Sequence, residues 1–337
     1  MPTSLQELGE FSLIDRIVQR LGVAAARNIL VPPGDDAAAW RVEEGCAAVA
    51  TIDVLTEGTH WRLDTMTLGD AGWRAVAANV SDLVAMGAIP DYLLVGLGLG
   101  IDVTLDEVDD LAEGMLEACL AHHVRIAGGD IVRSNTTTIS IAAYGHSLPL
   151  AEVRTPFLRR NRAQPGDRVA VSGSLGASAA GLAIIEALRE REPGAEVLTR
   201  AHRRPRARVP LGPAAVRAGI ACGMDVSDGL LQDLGHIAVA SKVGIEVDAN
   251  TVPLEQAAVD LLGAEVALDF ALGGGEDFEL ILTGPADDLK RLDQAATGGT
   301  PVSLVGRVVA DHPGEVIVVG DDGRPYEPTR RGWDQLR

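Results

Sequence analysis

Aspartates recur directly after glycines or at the ends of apolar, strand-like segments of this chain. The segment MDVSDGLLQD, residues 224–233, contains Asp225, Asp228 and Asp233 and no basic residue. Three other segments share the pattern: PPGDDA at 32–37, ATIDVLTEG at 50–58 and IAGGDIVR at 126–133. Strand ends and glycine turns are places where side chains leave a sheet and meet a ligand. Because clustered carboxylates repel one another unless a cation offsets their charge, the repetition predicts a cation site.

The chemistry of these groups favours a hard cation. Oxygen ligands suit Mg²⁺, which bridges to substrate phosphates, whereas zinc prefers Cys and His. A further candidate, Asp82, lies in the helical segment NVSDLVAMGA. Taken singly, each aspartate is also explained as a turn former or a helix N-cap. The sequence has neither a GxxxxGK[ST] phosphate loop nor the HRD and DFG motifs of protein kinases, so a nucleotide site would use carboxylates and metal ions.

Length and composition set the class of protein. A chain of 337 residues exceeds the usual range of one hydrophobic core, so two domains are expected. The net charge of −19 argues against sequence-independent binding to nucleic acid and against binding to an anionic membrane surface. Three widely separated cysteines form no disulfide framework or zinc spacing, and the longest apolar run, residues 92–101, is too short to span a bilayer. We therefore expect a cytoplasmic protein.

Apolar strand-like runs alternate with helical ones, which predicts an α/β protein. Strands are expected within 45–54, 92–101 and 137–147, and helices within 67–88 and 104–123. Thr67 and Thr104 are candidate N-caps, because each precedes an acid by three residues. The Arg-rich stretch at 150–165 predicts an inter-domain connection. The expected domains are therefore 1–150 and 151–337.

In this order, the motifs resemble a known family. They are GEFSLIDRI at 9–17, GDDAA, IDVLTEGTHW, AANVSDLVAMGA, IAGGD, RAQPGDRVAVSG, HRRPRARVPLG, DVSDGLLQDLGHIA, GGGEDFELILT and the terminal RGWD. The set resembles the thiamine-monophosphate kinases, within the superfamily of aminoimidazole ribonucleotide synthetase, over nearly the whole chain. The resemblance implies transfer of the ATP γ-phosphoryl group to thiamine monophosphate, the final step of thiamine diphosphate biosynthesis. It also implies Mg²⁺ dependence and a two-domain synthetase-like fold, whose N-terminal sheet pairs across a homodimer.

The resemblance also implies roles for individual residues. The implied metal ligands are Asp36, Thr51, Ile52, Asp53, Asp82, Asp130, Asp225 and Asp228. The family usually has a hydroxyl residue where Ile52 stands, so only the Ile52 carbonyl could serve. ATP is expected at Gly129, Asp130, Ser227 and Arg160, with Arg159 a competitor for Arg160, and thiamine monophosphate at His60, Glu276 and Trp333. No residue is expected to act as a general base, because charge neutralisation by metals and Arg160 suffices.

Other acidic and imidazole groups receive plainer interpretations. Asp233 and the DEVDD run at 106–110 are expected on solvated helix faces, and His236 is interpreted as capping or packing rather than as a ligand. Without the resemblance, His60, Glu276 and Trp333 would be a turn histidine, a turn carboxylate and a packing aromatic.

Two alternatives stay open. One is a synthetase of the same superfamily with another acceptor, although selenophosphate synthesis should show a reactive Cys in the N-terminal loop and PPGDDAAAW has none. The other is a non-catalytic Mg-nucleotide-binding protein, which would explain the carboxylates but not the ordered His60, Glu276 and Trp333 motifs.

Overall fold

The computed structural model describes Leu13 and residues 16–17, 19–20, 29–31, 39–294, 299–320 and 323–333. The chain divides into two compact units, the first covering Met1–Leu83 and Pro90–His146, the second Val84–Ile89 and Ser147–Arg337. The helices are α1 (Leu68–Ala85), α2 (Leu105–His122), α3 (Ala177–Glu186), α4 (Ala195–Arg203), α5 (Leu211–Arg217), α6 (Leu230–Ser241), α7 (Gln256–Leu262), α8 (Ala264–Gly273) and α9 (Ala286–Gln294). The strands are β1 (Ile29–Val31), β2 (Ala39–Trp40), β3 (Ala48–Thr56), β4 (Ile89–Leu99), β5 (Arg125–Arg133), β6 (Thr138–His146), β7 (Arg168–Ser172), β8 (Cys222–Asp225), β9 (Gly244–Asp248), β10 (Leu280–Gly284), β11 (Val302–Val309) and β12 (Val316–Val319).

The first unit contains a four-stranded sheet in the order β3-β6-β4-β5. β3 runs antiparallel to β6, and β4 runs parallel to β5. Alternate residues of β6, among them Ile139, Ile141 and Ala143, are buried, as the period of two in a strand requires when one face meets a core. Val76 and Val80 of α1 are likewise fully buried. A short ladder of β1 with β2 forms a separate two-stranded sheet.

Both long helices of this unit begin with a reciprocal cap. Thr67 Oγ1 accepts from the Asp70 N–H at 3.2 Å, and the Asp70 carboxylate accepts from the Thr67 N–H at 3.3 Å. Thr104 and Glu107 repeat the arrangement at the start of α2. Each cap satisfies two backbone donors that a helix start leaves without partners. The predicted N-caps are confirmed.

The α1 and α2 helices approach closely through glycines. An added Cβ at Gly114 would lie 1.9 Å from the Gly69 carbonyl oxygen. The Gly69 N–H donates to Asp110 Oδ2 at 2.7 Å, and Asp109 forms ion pairs with Arg16 and Arg20. The expectation that the DEVDD run is only a solvated face is therefore wrong for Asp109 and Asp110, because these carboxylates bind groups distant in sequence.

The second unit is built on a six-stranded sheet in the order β12-β9-β11-β7-β10-β8. Its pairings are antiparallel except for β12 with β9. Val171, Val226, Ile245, Ile281 and Val305 belong to its buried aliphatic cluster. Small branched side chains of this kind pack well on a pleated surface.

A buried ion pair lies inside the second unit. Arg208 Nε donates to Glu279 Oε2 at 2.8 Å, the Arg208 Nη2 forms a second contact with the same carboxylate, and the Ser172 hydroxyl also donates to it. Glu279 is almost completely buried, so these donors replace the water that an ionised carboxylate needs. The Arg-rich segment that contains Arg208 thereby serves the core of this unit.

The predicted alternation is confirmed, although several elements were not anticipated. The strands within 45–54, 92–101 and 137–147 correspond to β3, β4 and β6, and the two predicted helices correspond to α1 and α2. In the second half, apolar runs had also predicted the strands β7, β10, β11 and β12 and the helices α3 and α6. The elements that the pattern did not indicate are β1, β2, β5, β8, β9, α4, α5, α7, α8 and α9. Among the described residues, no helix combines the length and the apolar character needed to cross a membrane.

The close contact between α1 and α2 predicts that adding one methyl group at Gly114 lowers the stability of the protein. Gly114→Ala should lower the free energy of unfolding by about 1–3 kcal/mol, because the Gly69 backbone cannot move away cheaply. Gly235→Ala is the matched control, since a Cβ there would meet no described atom within 4 Å and alanine favours a helix by about 0.5–1 kcal/mol. Thermal unfolding followed by circular dichroism measures both, and equal melting temperatures would contradict the prediction.

Candidate active site

The pleat of β3 separates two kinds of residue. Thr51 and Asp53 are partly buried, whereas Ile52 between them is 64% exposed. Successive side chains of a strand point to opposite faces, so the Ile52 side chain lies on the other face from Thr51 and Asp53. The carbonyl is consequently the one group through which Ile52 could bind a metal, as the sequence indicated.

Hydrogen bonds connect β3 to α1 on the polar face. Thr51 Oγ1 donates to Asp82 Oδ2 at 2.6 Å, and the Asp53 N–H donates to Asn79 Oδ1 at 3.1 Å. Asn79 is fully buried, and its Nδ2 donates to the Ala75 carbonyl at 2.9 Å. Asn79 and Asp82 are three positions apart and therefore share one face of α1. Three predicted metal ligands, Thr51, Asp53 and Asp82, are thus brought together.

The charges at this face are crowded. Burial and, to a smaller extent, the nearby Asp82 carboxylate together raise the pKa of Asp53 to about 6. A bound cation would reverse this effect, because it favours the ionised carboxylates. The donors are carboxylate, hydroxyl and carbonyl oxygens, which fit Mg²⁺. Asp36, the remaining predicted ligand from the first part of the chain, lies outside the described residues.

Gly129 and Asp130 lie on β5, the opposite edge strand of the same sheet from β3. Both residues are exposed. An added Cβ at Gly129 would lie 2.2 Å from the Val95 carbonyl oxygen on β4, so only glycine fits this position. The structure therefore places two strands, β6 and β4, between Asp130 and Asp53 and does not join Asp130 to the hydrogen-bonded group on β3.

His60 is held in the turn that follows β3. The Thr56 N–H donates to His60 Nδ1 at 3.1 Å, and the Arg74 guanidinium donates to the His60 carbonyl at 3.5 Å. Because Nδ1 accepts a hydrogen bond, the proton of the neutral ring is on Nε2. His60 is therefore positioned to offer an N–H donor to a ligand.

In the second unit, two predicted motifs meet through the backbone. β8 pairs with β10, where Asp225 lies opposite Leu280. The pairing continues beyond the strands: the Val226 N–H donates to the Glu279 carbonyl at 2.8 Å, and the Glu276 N–H donates to the Ser227 carbonyl at 2.8 Å. Asp225 is only 3% exposed at the strand end. Ser227, predicted for ATP, and Glu276, predicted for thiamine monophosphate, are thus neighbours.

The segment that carries Glu276 has an unusual backbone. Glu276 has φ of 66° and Phe278 has φ of 50°, both in the left-handed region that non-glycine residues rarely adopt. At Gly275 an added Cβ would lie 2.4 Å from the Ser227 carbonyl oxygen. The GGGEDFE segment therefore needs glycine to pass close to the DVSDG loop, and it holds Glu276 in a strained conformation of the kind found at binding sites.

Trp333 joins the same group through its backbone. The Trp333 N–H donates to the Asp228 carbonyl at 3.0 Å. Gln232 Nε2 donates both to the Trp333 carbonyl at 2.6 Å and to Asp228 Oδ2 at 3.1 Å. The Trp333 side chain remains 55% exposed. An exposed indole whose backbone is bound to Asp228 could stack on a heterocycle, and its exposure does not fit the interpretation as a buried packing residue.

Asp233 was expected on the solvated surface of a helix, and this expectation is wrong. It is 1% exposed, and its Oδ2 accepts from the N–H groups of Ser227, Asp228 and Gly229 at 3.0, 3.2 and 3.1 Å. Burial raises the Asp233 pKa to about 7, with contributions from Asp225 and Asp228, while the backbone donors lower it. Asp233 thus holds the DVSDG loop from the first turn of α6. His236 is exposed on α6, so it is not a packing residue.

Asp277 is a functional neighbour that the sequence did not single out. Its carboxylate accepts from the Gly176 N–H at 2.7 Å and from the Ser178 N–H at 3.0 Å, which caps the start of α3. Burial raises its pKa to about 7, although the two backbone donors lower it. Because Asp277 follows Glu276, the cap also anchors the strained segment. The only signal in the sequence was its place in the acidic run EDFE.

The contacts that the structure describes for Arg160 are made by its backbone carbonyl. Ser241 Oγ donates to the Arg160 carbonyl at 2.8 Å, and Cys222 Sγ donates to the same oxygen. Cys222 begins β8 and Ser241 ends α6. The backbone of Arg160 therefore lies at the other end of both elements from Ser227, and the structure does not bring these two predicted ATP contacts together. The side chains of Arg159 and Arg160 are both exposed.

Both units match known domains. Residues 34–147 match the family described as AIR synthase related protein, N-terminal domain, and residues 164–319 match AIR synthase related protein, C-terminal domain. Two successive domains of this kind, each with a cluster of acidic side chains at strand ends, define the chain as a two-domain AIR synthase-related protein. The predicted fold class is confirmed.

Proteins that are similar over almost the whole chain identify its family within this class of proteins. The thiamine-monophosphate kinase of Mycobacterium tuberculosis is 35% identical over 342 residues, covering 99% of this chain and 93% of the relative. The crystal structure of thiamine-monophosphate kinase from Stenotrophomonas maltophilia K279a superposes with a TM-score of 0.81 at 36% identity, covering 93% of this chain and 96% of that one. The structure of AaThiL complexed with AMPPCP and TMP gives 0.74 at 31% identity, with 98% of each chain covered. This chain belongs to the thiamine-monophosphate kinase family.

The cap formed by Asp277 predicts a pH-dependent stability. The folded state raises the Asp277 pKa to about 7, so it binds the proton more tightly than the unfolded chain does. The Asp277 contribution to the free energy of unfolding is therefore largest below about pH 4 and declines up to about pH 7, by at most about 1.4 kcal/mol for each pH unit. In Asp277→Asn this contribution is absent.

Chemical denaturation of both proteins at about pH 5 and at about pH 7.5 measures the effect. The stability advantage of the unsubstituted protein over Asp277→Asn should shrink at the higher pH. An advantage that is equal at both pH values contradicts the assignment of the raised pKa to Asp277.

Proposed function

We propose that this enzyme catalyses ATP-dependent phosphorylation of thiamine monophosphate to thiamine diphosphate. The observation that carries the proposal is the full-length similarity to thiamine-monophosphate kinases, including AaThiL complexed with AMPPCP and TMP. The grouping of Ser227, Asp228, Glu276 and Trp333 in the second unit supports it, because residues predicted for both substrates meet there. The reaction is the final step of thiamine diphosphate biosynthesis.

The reaction is a direct transfer between two phosphate groups. An oxygen of the thiamine monophosphate phosphate attacks the γ-phosphorus of ATP, a new P–O–P bond forms, and the bond to the β-phosphate oxygen breaks to release ADP. The attacking oxygen is already anionic near neutral pH, so no side chain must remove a proton. The barrier is the repulsion between anions, and catalysis requires alignment and charge neutralisation. A site rich in carboxylates and without an assigned general base suits this reaction when divalent metal is bound.

The proposed reaction includes bound Mg²⁺ ions. The ligands that we assign are Asp36, Thr51, Ile52 through its carbonyl, Asp53, Asp82, Asp130, Asp225 and Asp228. Bound Mg²⁺ would neutralise the phosphate charges of both substrates. The close contact of Thr51 with Asp82 supports this assignment on the first unit, as does the Asp53 carboxyl, whose pKa is raised by burial and by the neighbouring Asp82 carboxylate. The nearly buried carboxylate of Asp225 supports it on the second.

The organic parts of the substrates are assigned to polar and aromatic groups. Gly129, Asp130, Ser227 and Arg160 are proposed for ATP, and His60, Glu276 and Trp333 for thiamine monophosphate. His60 Nε2–H and the Glu276 carboxylate would form hydrogen bonds, while the exposed Trp333 ring would lie against a thiamine ring. In this division, residues 1–150 supply most metal ligands and 151–337 supply most thiamine contacts.

The proposed enzyme is a cytoplasmic homodimer. Ile52 and Val54, on the outer face of β3, are 64% and 49% exposed, and Ala48 and Ala50 share that face. An exposed apolar strip on a sheet is typical of an interface. A second copy of the chain, bringing the same strip, is the occupant that we propose. None of the three cysteines, all of which the structure describes, forms a disulfide, which supports a reducing compartment.

The decisive experiment measures both products of the reaction. Purified protein is incubated with ATP, Mg²⁺ and thiamine monophosphate, and ADP and thiamine diphosphate are quantified together, with EDTA and no-acceptor controls. Equal amounts of both products, abolished by EDTA, are expected. ADP without thiamine diphosphate would indicate another acceptor on this fold, and the absence of both products would favour a binding protein without turnover.

In the same assay, Asp130→Asn should retain the fold and lose nearly all turnover. The substitution removes the charge of a proposed metal ligand and hardly changes its shape. Asp130 is exposed, so circular dichroism should be unchanged. Asp102→Asn is the matched control at another exposed aspartate and should leave turnover intact. Full activity of Asp130→Asn would remove Asp130 from the proposed site.

The proposed dimer is tested by Val54→Asp. A carboxylate on the outer face of β3 would be buried without a partner in the interface, so the variant should be monomeric in light scattering at micromolar concentration. Ile101→Asp is the control, because Ile101 is 58% exposed and follows β4 outside the β3 strip. A monomer in the unsubstituted protein, or a dimer in Val54→Asp, contradicts this interface.

A further inference from the structure

Three metal-binding side chains lie together at the start of α6. Asp228, Asp233 and His236 each offer a ligand atom, and these atoms lie within 4.8 Å of one another. Asp228 belongs to the turn that precedes the helix, whereas Asp233 and His236 lie within it. Such distances are short enough for one ion to contact all three groups.

Local structure explains why these residues meet. Asp233 and His236 are three positions apart, so they lie on one face of α6. Oδ2 of Asp233 accepts from the N–H groups of Ser227, Asp228 and Gly229, which fixes the preceding turn against the helix. Gln232 Nε2 donates to Asp228 Oδ2 and restrains that side chain as well. Asp228 and Asp233 are therefore held by contacts that do not depend on a ligand.

One buried carboxylate oxygen of the cluster lacks a hydrogen-bond partner among the described residues. Asp233 is 99% buried, since only 1% of it is exposed, and its Oδ1 has no hydrogen-bond partner among the residues that the structure describes. Buried polar atoms are almost always paired, because an unpaired one loses its hydration without compensation. The backbone donors of the turn are already bound to Oδ2. A cation shared with Asp228 and His236 would supply the missing partner.

We propose that Asp228, Asp233 and His236 form a binding site for a divalent transition-series cation such as Mn²⁺. Two carboxylates and one imidazole form a mixed oxygen and nitrogen donor set. Imidazole suits transition metals, whereas Mg²⁺ prefers oxygen ligands alone. Asp228 is shared with the Mg²⁺ ligands proposed above, while Asp233 and His236 are not among them. The site needs no nucleotide, so it does not rest on the proposed kinase reaction.

Mn²⁺ bound to the untagged full chain without nucleotide tests the site. Electron spin-echo modulation detects the nitrogen of an imidazole that coordinates Mn²⁺ directly. The unsubstituted protein should show this modulation, and His236→Gln should lose it. Calorimetric titration with Mn²⁺ should show, beside any binding at the proposed Mg²⁺ ligands, a class of sites that is weakened at least about tenfold in His236→Gln.

Two further variants distinguish loss of the imidazole ligand from other effects of substitution. His123→Gln is the matched control, because His123 is exposed at the end of α2 and should retain both the modulation and the affinity. His236→Asp should still bind Mn²⁺ through oxygen while lacking the nitrogen signal. Both substitutions at His236 affect an exposed side chain, so circular dichroism should match the unsubstituted protein.

The proposal is overturned if bound Mn²⁺ shows no imidazole nitrogen in the unsubstituted protein, or if the modulation and the affinity persist in His236→Gln. Asp233→Asn is unsuitable as the main test, because the same carboxylate holds three backbone N–H groups of the turn.

Discussion

The backbone pairing between residues 226–227 and 276–279 is the interaction on which the second unit's site depends. It extends the β8 and β10 ladder past the strand ends, where side chains would otherwise diverge. One partner segment is a turn rich in carboxylates, and the other carries a strained glutamate. Because main-chain hydrogen bonds define this pairing, its geometry is largely independent of the side chains that it presents. The fold can therefore hold an acidic loop in place before any cation arrives.

Much of this architecture could be predicted from local patterns. The capping pairs Thr67 with Asp70 and Thr104 with Glu107 are contacts between residues three apart, so the sequence alone specifies them. The period of two along β3 likewise places Thr51 and Asp53 on one face. Short helices such as α7 and α8 were not predicted, because packing rather than periodicity stabilises segments of this length.

Some carboxylates bind backbone groups that are distant in the sequence, and local sequence patterns could not predict these contacts. Asp110 meets Gly69 across two helices, and Asp277 caps α3 about a hundred residues earlier in the chain. Asp233 was misjudged for a related reason: an acid in the first turn of a helix looks solvated unless the preceding loop folds back over it. In each case the fold, and not the residue type, decides whether the charge faces water. Predicted ligands such as Asp130 and Arg160 stay predictions for the same reason.

The pleat of β3 has a consequence for how this protein can change. A strand in which Thr51 and Asp53 face α1 while Ile52 and Val54 face outward carries two surfaces in a single register. Inserting or deleting one residue ahead of Thr51 would exchange the two faces, turning the Asp53 carboxylate outward and aliphatic groups inward. Substitutions can alter either surface separately, but a change of length within this strand alters both at once. The length of β3 is therefore constrained more tightly than the identity of any single residue in it.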